Sequence, residues 1–169
     1  MPPENDARSL NGNTFDLIRL APDHVPELVA LERACFATPW SAAALIGSIA
    51  RPISVAIGLA DKNGKLVAYL IGRREDEHGD IDTLAVDPSK RRSGCATRLL
   101  QKALDVFADR GIVMCWLEVR ESNVGAITLY KHFGFEIAGR RRNYYPRPQR
   151  EDALVMSLNL NTEPGHQSG

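Results

Sequence analysis

The segment Arg91-Arg92-Ser93-Gly94-Cys95-Ala96 combines residue types and spacing suited to holding a phosphate. It follows a β-rich run ending Asp82-Thr83-Leu84-Ala85-Val86-Asp87-Pro88 and opens an amphipathic stretch. A glycine-containing loop entering a helix leaves the first backbone N–H groups unpaired and aimed at one spot, where the helix dipole also favours negative charge. Gly94 and Ala96 leave room for close approach, and Arg91 and Arg92 can add charge-assisted hydrogen bonds, so the spot suits a pyrophosphate. The spacing is neither Gly-x-x-x-x-Gly-Lys-Ser/Thr nor Gly-x-Gly-x-x-Gly, which disfavours nucleotide hydrolysis. A second chemical candidate is Glu118, which interrupts an otherwise apolar run. A strand-interior carboxylate is costly to bury without purpose, and burial would raise its pKa toward values useful to a general base. Its alternative is a structural pairing with an arginine such as Arg120 or Arg142.

The elements that must position these residues are legible from periodicity and punctuation. Thr14 to Leu20 has strand character, and Asp23 is a plausible cap for a helix carrying Val25, Leu28, Leu31 and Phe36. After a break at Thr38-Pro39-Trp40, Ser41 caps a short helix through Ile49. The runs Ile53–Ala60 and Lys65–Arg73 flank Asp61-Lys62-Asn63-Gly64, a hairpin signal. The strand Gly79–Val86 stops at Asp87-Pro88, since proline cannot donate to a ladder. A helix from near Gly94 to Arg110 carries Ala96, Leu99, Leu100, Ala103, Leu104 and Phe107 on one stripe, and Gly111 ends it. Ile112–Val119 reads as a strand covered on both faces. Asn123 to Phe133 reads as a helix stopped by Gly134, followed by strands near Phe135–Gly139 and Ala153–Leu160. The expectation is a single mixed α/β domain over residues 14–160, with residues 1–13 and 161–169 as disordered tails.

Composition narrows the partners. Lys and Arg number 21 against 21 Asp and Glu, so no global field argues for DNA, RNA or an anionic membrane. Cys35, Cys95 and Cys115 are odd in number and do not combine with His24, His78, His132 or His166 at metal-ligand spacing, so no metal and free thiols are expected. Cys95 at a helix start could be a nucleophile, but packing is the better reading. The lack of a long apolar run or a signal-like start points to a soluble, cytoplasmic protein. Arg140, Arg141, Arg142, Arg147 and Arg150, with Tyr144 and Tyr145, invite an RNA reading, which the neutral whole disfavours.

Arg-x-x-Gly-x-Ala after Leu-Ala-Val-Asp-Pro resembles the acetyl-coenzyme A signature of the GNAT superfamily. Trp116-Leu117-Glu118-Val119-Arg120-Glu121-Ser122-Asn123, Ala126-Ile127, Leu129-Tyr130 and Phe133-Gly134-Phe135 resemble it in the right order. Arg141-Arg142-Asn143-Tyr144-Tyr145-Pro146, with Glu151-Asp152-Ala153 and Met156, is similar to the RimI-type ribosomal-protein alanine N-acetyltransferases. The resemblance runs from about Phe36 to Leu158. It implies a GNAT fold, a mostly antiparallel sheet of about seven strands flanked by about four helices, with acetyl-coenzyme A held in a splay of the sheet.

The resemblance also implies roles. Glu118 matches the family's glutamate base, and Tyr130 matches the tyrosine that protonates the departing thiolate. The backbone of Leu84, Ala85 and Val86 should pair with the pantetheine arm, while Arg91, Arg92, Ser93, Gly94, Cys95, Ala96 and Thr97 hold phosphate and Asn123 touches the cofactor. Phe36 and Trp40 form one acceptor wall and a substrate-side loop with Arg142, Tyr144 and Tyr145 the other. Direct attack by an amine is expected: at pH 7 deprotonating an α-amino group costs about 1 kcal/mol, against about 4.6 kcal/mol for lysine. The expected acceptor is a protein amino terminus, the alanine of a small-subunit ribosomal protein, and the enzyme a monomer or weak dimer. The rivals are a small-molecule amine acetyltransferase on the same scaffold and a non-catalytic acyl-coenzyme A-binding module.

Overall fold

The computed structural model describes residues 14–161, so the expected tail at 1–13, and all but Asn161 of the one at 161–169, lie outside the described residues. Seven strands form one sheet in the order β1-β2-β3-β4-β5-β7-β6. They are β1 (Asp16–Arg19), β2 (Ser54–Ala60), β3 (Leu66–Glu75), β4 (His78–Val86), β5 (Met114–Arg120), β6 (Glu136–Tyr145) and β7 (Glu151–Asn159). Every neighbouring pair is antiparallel except β4 and β5. Four α-helices flank the sheet: α1 (Val25–Cys35), α2 (Ala42–Ala50), α3 (Cys95–Asp109) and α4 (Val124–His132).

The β2–β3 hairpin turns as its sequence dictates. Gly64 takes φ 79°, and the Asp61 carboxylate accepts from the N–H groups of Asn63 and Lys65 at 2.9 and 3.0 Å. Each sheet face carries its own core. On one, α3 lays Cys95, Leu99, Leu100, Ala103, Leu104 and Phe107 against Val55, Val67, Leu70 and Ile81. On the other, Val25, Leu28 and Leu31 of α1 and Leu45 of α2 pack on Leu66, Tyr69, Ile71 and Ala85. Gly72 and Gly79 are where the sheet admits the Phe107 ring: a Cβ on Gly79 would come within 2.9 Å of it, and one on Gly72 within 2.6 Å of the Asp80 carbonyl oxygen. No helix among the described residues is long and apolar enough to cross a membrane.

Four sequence expectations need correction. Asp23 does not cap α1; it sits inside a 3-10 turn, Pro22–His24, that proline starts. The N-cap position falls to His24, whose Nδ1 accepts from the Ala21 N–H at 2.9 Å. In α3 the first core position belongs to Cys95, four residues before Leu99, while Ala96 is only half-buried and lines the groove described below. Strand β5 alternates between buried and part-exposed residues instead of being covered on both faces. Cys115, Leu117 and Val119 enter the core, while Trp116, Glu118 and Arg120 face the other way. Finally, Arg141 to Tyr145 is no loop: it is the end of β6, which runs well past Gly139 and pairs with β7 up to Tyr145 opposite Glu151.

Candidate functional site

The parallel β4–β5 ladder is short. It registers His78 with Met114 through Ile81 with Leu117 and then stops, although β4 continues to Val86 and β5 to Arg120. The sheet therefore opens like a V, leaving one edge of Asp82–Val86 and the facing edge of Glu118–Arg120 without strand partners. On its other side β4 stays fixed to β3, with Leu84 opposite Leu70 and Ala85 opposite Tyr69. A groove of about 850 Å³ occupies the opening, lined by β4, β5, the α3 start, the inner face of α4 and the α1–α2 connection.

At one end lies the glycine loop. Gly94 caps α3 in the left-handed region, φ 80° and ψ 7°, without a side-chain cap, and a Cβ there would meet nothing within 4 Å. The first helical bond is donated by Arg98 N–H to the Gly94 carbonyl at 3.0 Å. The N–H groups of Cys95, Ala96 and Thr97 thus precede any intrahelical acceptor. These three residues, with Lys90, Arg91, Arg92 and Gly94, line the groove. Ser93 does not; its hydroxyl turns back to the Lys90 carbonyl and lies 3.2 Å from the Cys95 sulfur. Cys95 is buried, as its packing role requires. Such an end, cationic and rich in unpaired N–H groups, can hold a pyrophosphate.

Glu118 and Tyr130 both line the groove. Tyr130 is carried by α4, whose N-terminus is capped by the Asn123 Oδ1 accepting from Ala126 N–H at 3.2 Å. Asn123 lines the groove, but this oxygen already serves the helix. The Tyr130 ring is buried edge-on against Phe135, with centroids 5.8 Å apart, and burial first, then Tyr145 and Cys115, push its hydroxyl pKa well up. Glu118 is less buried than its apolar strand implies, retaining 26% side-chain exposure. Its carboxylate pairs with Arg141 Nε at 2.8 Å rather than with Arg120 or Arg142, and raises the pKa of the Tyr144 hydroxyl bonded to it.

Asp82 and Glu118 in the rest of the lining are each paired with an arginine. Asp82 faces the groove, and burial pushes its carboxyl up to about 6 despite Arg73 at 3.3 Å. Phe36, Trp40 and Tyr145 line the groove, whereas Arg142 and Tyr144 stand outside the lining and are exposed. Burial pushes Tyr145 up to about 12, against the pull of the Arg120 guanidinium lying 4.1 Å from its ring centroid. Among the described residues no cluster of His, Cys, Asp and Glu could hold a metal ion.

Sequence reasoning missed Glu32, Asp82, Arg120 and Gln149, all of which line the groove. Glu32 carries a usable signal: it stands four residues after Leu28 on the buried stripe of α1, where a charge is out of place. Asp82 and Arg120 carry none, because each depends on a strand ending its ladder early.

The opened parallel pair and the left-handed glycine at the adjoining helix start together make a groove with a phosphate-type end. The chain matches the profile of the Acetyltransferase (GNAT) family over residues 25–135 and belongs to that family. Its relatives include the ribosomal protein bS18-alanine N-acetyltransferase of Salmonella typhimurium, 35% identical over 86% of this chain and 97% of the relative. The enzyme of the same name from Escherichia coli is 43% identical over 57% of this chain and 66% of its own length, just under two thirds of that relative. The N-alpha-acetyltransferase RimI of Mycobacterium tuberculosis is 38% identical over 70% and 74% of the two chains. The crystal structure of the Escherichia coli ribosomal-protein-S18-alanine N-acetyltransferase superposes with a TM-score of 0.82 at 33% identity, covering 91% of this chain and 98% of that one.

Proposed function

We propose that this protein transfers an acetyl group from acetyl-coenzyme A to the α-amino group of a protein, and that its acceptor is the amino-terminal alanine of a small-subunit ribosomal protein. The observation that carries this reading is the joining of three features in one groove: the phosphate-type end at Arg91–Thr97, the opened β4–β5 edge, and the Glu118 carboxylate. The names of the relatives support the choice of acceptor. A cytoplasmic setting goes with it.

The residues fit the coenzyme on structural grounds, since the space over Gly94 is open and the N–H groups of Cys95, Ala96 and Thr97 await an acceptor. When bound, acetyl-coenzyme A supplies an activated thioester. Arg91, Arg92 and the three N–H groups hold its pyrophosphate. The free edge of Leu84, Ala85 and Val86 pairs with the pantetheine arm as an added strand would. Phe36, Trp40 and Tyr145 enclose the first residue of the acceptor, and the carboxyl groups of Asp82 and Glu118 offer hydrogen-bond acceptors to its amino group. Glu118 takes the proton from the amine, directly or through water. The Tyr130 hydroxyl, whose raised pKa keeps it protonated, gives its proton to the sulfur that leaves.

A small-molecule amine acceptor is the reading to exclude. The test is thiol release with acetyl-coenzyme A and equal concentrations of Ala-first, Ser-first, Met-first and acetyl-Ala-first hexapeptides, and of a polyamine. The Ala-first peptide is expected to react fastest and the blocked peptide not at all. Reaction with the polyamine alone would overturn the assignment.

A further inference from the structure

The connection between α1 and α2 forms one wall of the acceptor end, yet it has little structure of its own. Phe36 N–H still bonds back to the Glu32 carbonyl at 2.9 Å, and the Ser41 carbonyl accepts from Leu45 at 3.0 Å. Between those residues the described backbone makes no backbone–backbone bond. Two side chains from elsewhere hold it. Glu32, fully buried, accepts the Trp40 N–H on Oε2 at 2.8 Å. On Oε1 it accepts the Thr83 hydroxyl at 3.1 Å and the Tyr69 hydroxyl. One carboxyl group thus joins the acceptor wall to β3 and to the residue before Leu84 on the coenzyme strand.

The second hold is Arg120. Its Nη2 donates to the Thr38 hydroxyl at 3.3 Å, while Nη1 donates to Glu151 Oε1 and the Gln149 carbonyl, each at 3.0 Å. With its guanidinium against the Tyr145 ring, Arg120 links the α1–α2 connection to the opposite acceptor wall. A buried carboxylate with three neutral donors and no ion pair among the described residues is a poor way to stabilise a core, where an apolar side chain would cost less. Its geometry makes sense as a device for placing Trp40.

Building on the proposed function, we propose that Glu32 and Arg120 are positioning residues: together they fix the Phe36–Trp40 segment over the groove and set the size of first side chain that the acceptor end admits. Neither touches the reacting atoms. Displacing a pocket wall by about an ångström changes discrimination more than it changes coenzyme binding.

The experiment compares kcat/KM for Ala-first and Leu-first hexapeptides in the wild type, Glu32→Gln, Arg120→Lys and Thr38→Val, with acetyl-coenzyme A affinity measured by titration. In the first variant an amide nitrogen replaces one acceptor oxygen. In the second the ammonium cannot bridge both walls, and the third loses only the hydroxyl at the surface end. The Ala-to-Leu ratio is expected to fall about tenfold in each, chiefly through KM, with coenzyme affinity changed less than about twofold. An unchanged ratio, even with lower activity toward both peptides, would overturn the proposal. Should Glu32→Gln not fold, Thr38→Val decides, being a change outside the core. A wild type that acetylates neither peptide would instead defeat the proposed function and leave a separate result to read.

Discussion

Glu118 and Tyr130 reach the groove from consecutive elements, so their roles separate by substitution. Glu118→Gln keeps the shape but removes the proton acceptor. It is expected to lower kcat about a hundredfold while leaving acetyl-coenzyme A affinity intact, as read by steady-state rates and titration; an unchanged kcat would remove Glu118 as the base. Asp82 gives a pH signature of its own. Its folded pKa, about 6, lies above the ordinary 3.8, so its contribution to stability is fully present below 3.8 and lost as pH rises through about 6. The melting temperature of wild type minus that of Asp82→Asn should therefore fall between pH 4 and pH 7, and a constant difference would contradict the burial of this carboxyl. Residue types are readable in the sequence, but pairings are not. Arg141 reaches Glu118 across the intervening β7 because β6 runs on as a strand to Tyr145, and nothing local in the chain announces that length.

At the scale of elements, the loop into α3 is the most legible part. Gly94 reads as a close-approach residue, and its left-handed conformation gives that reading a physical basis. Gly94→Ala has free space for the new methyl, so the penalty is backbone strain alone, about 1–2 kcal/mol. It is expected to lower the melting temperature slightly and to weaken coenzyme binding; undiminished affinity would mean that loop geometry matters less than the arginines. The α3 stripe and the Asn63-Gly64 hairpin are equally plain, because period and turn chemistry are local. Strand β5 departs from its sequence pattern for a nonlocal reason. An apolar run promises burial on both faces, but one face of β5 looks into the opening that its partner strand leaves.

For the whole molecule, the mixed seven-stranded sheet with four helices follows the expected order, and each face is closed by its own core. The opening of β4 from β5 follows from ladder length, which residue pattern does not show; the family resemblance alone implies a splay of the sheet. That opening turns two separate motifs into one groove, with Lys90, Arg91 and Arg92 at its glycine-loop end. The central claim is that this groove delivers acetyl to an α-amine. The most direct measurement is mass spectrometry with fragment assignment on an Ala-first hexapeptide carrying an internal lysine, after reaction with acetyl-coenzyme A and the wild-type protein. A single acetyl group on the α-nitrogen is predicted, lost in Glu118→Gln at equal time. Acetyl on the lysine side chain, or an unmodified peptide, would contradict it.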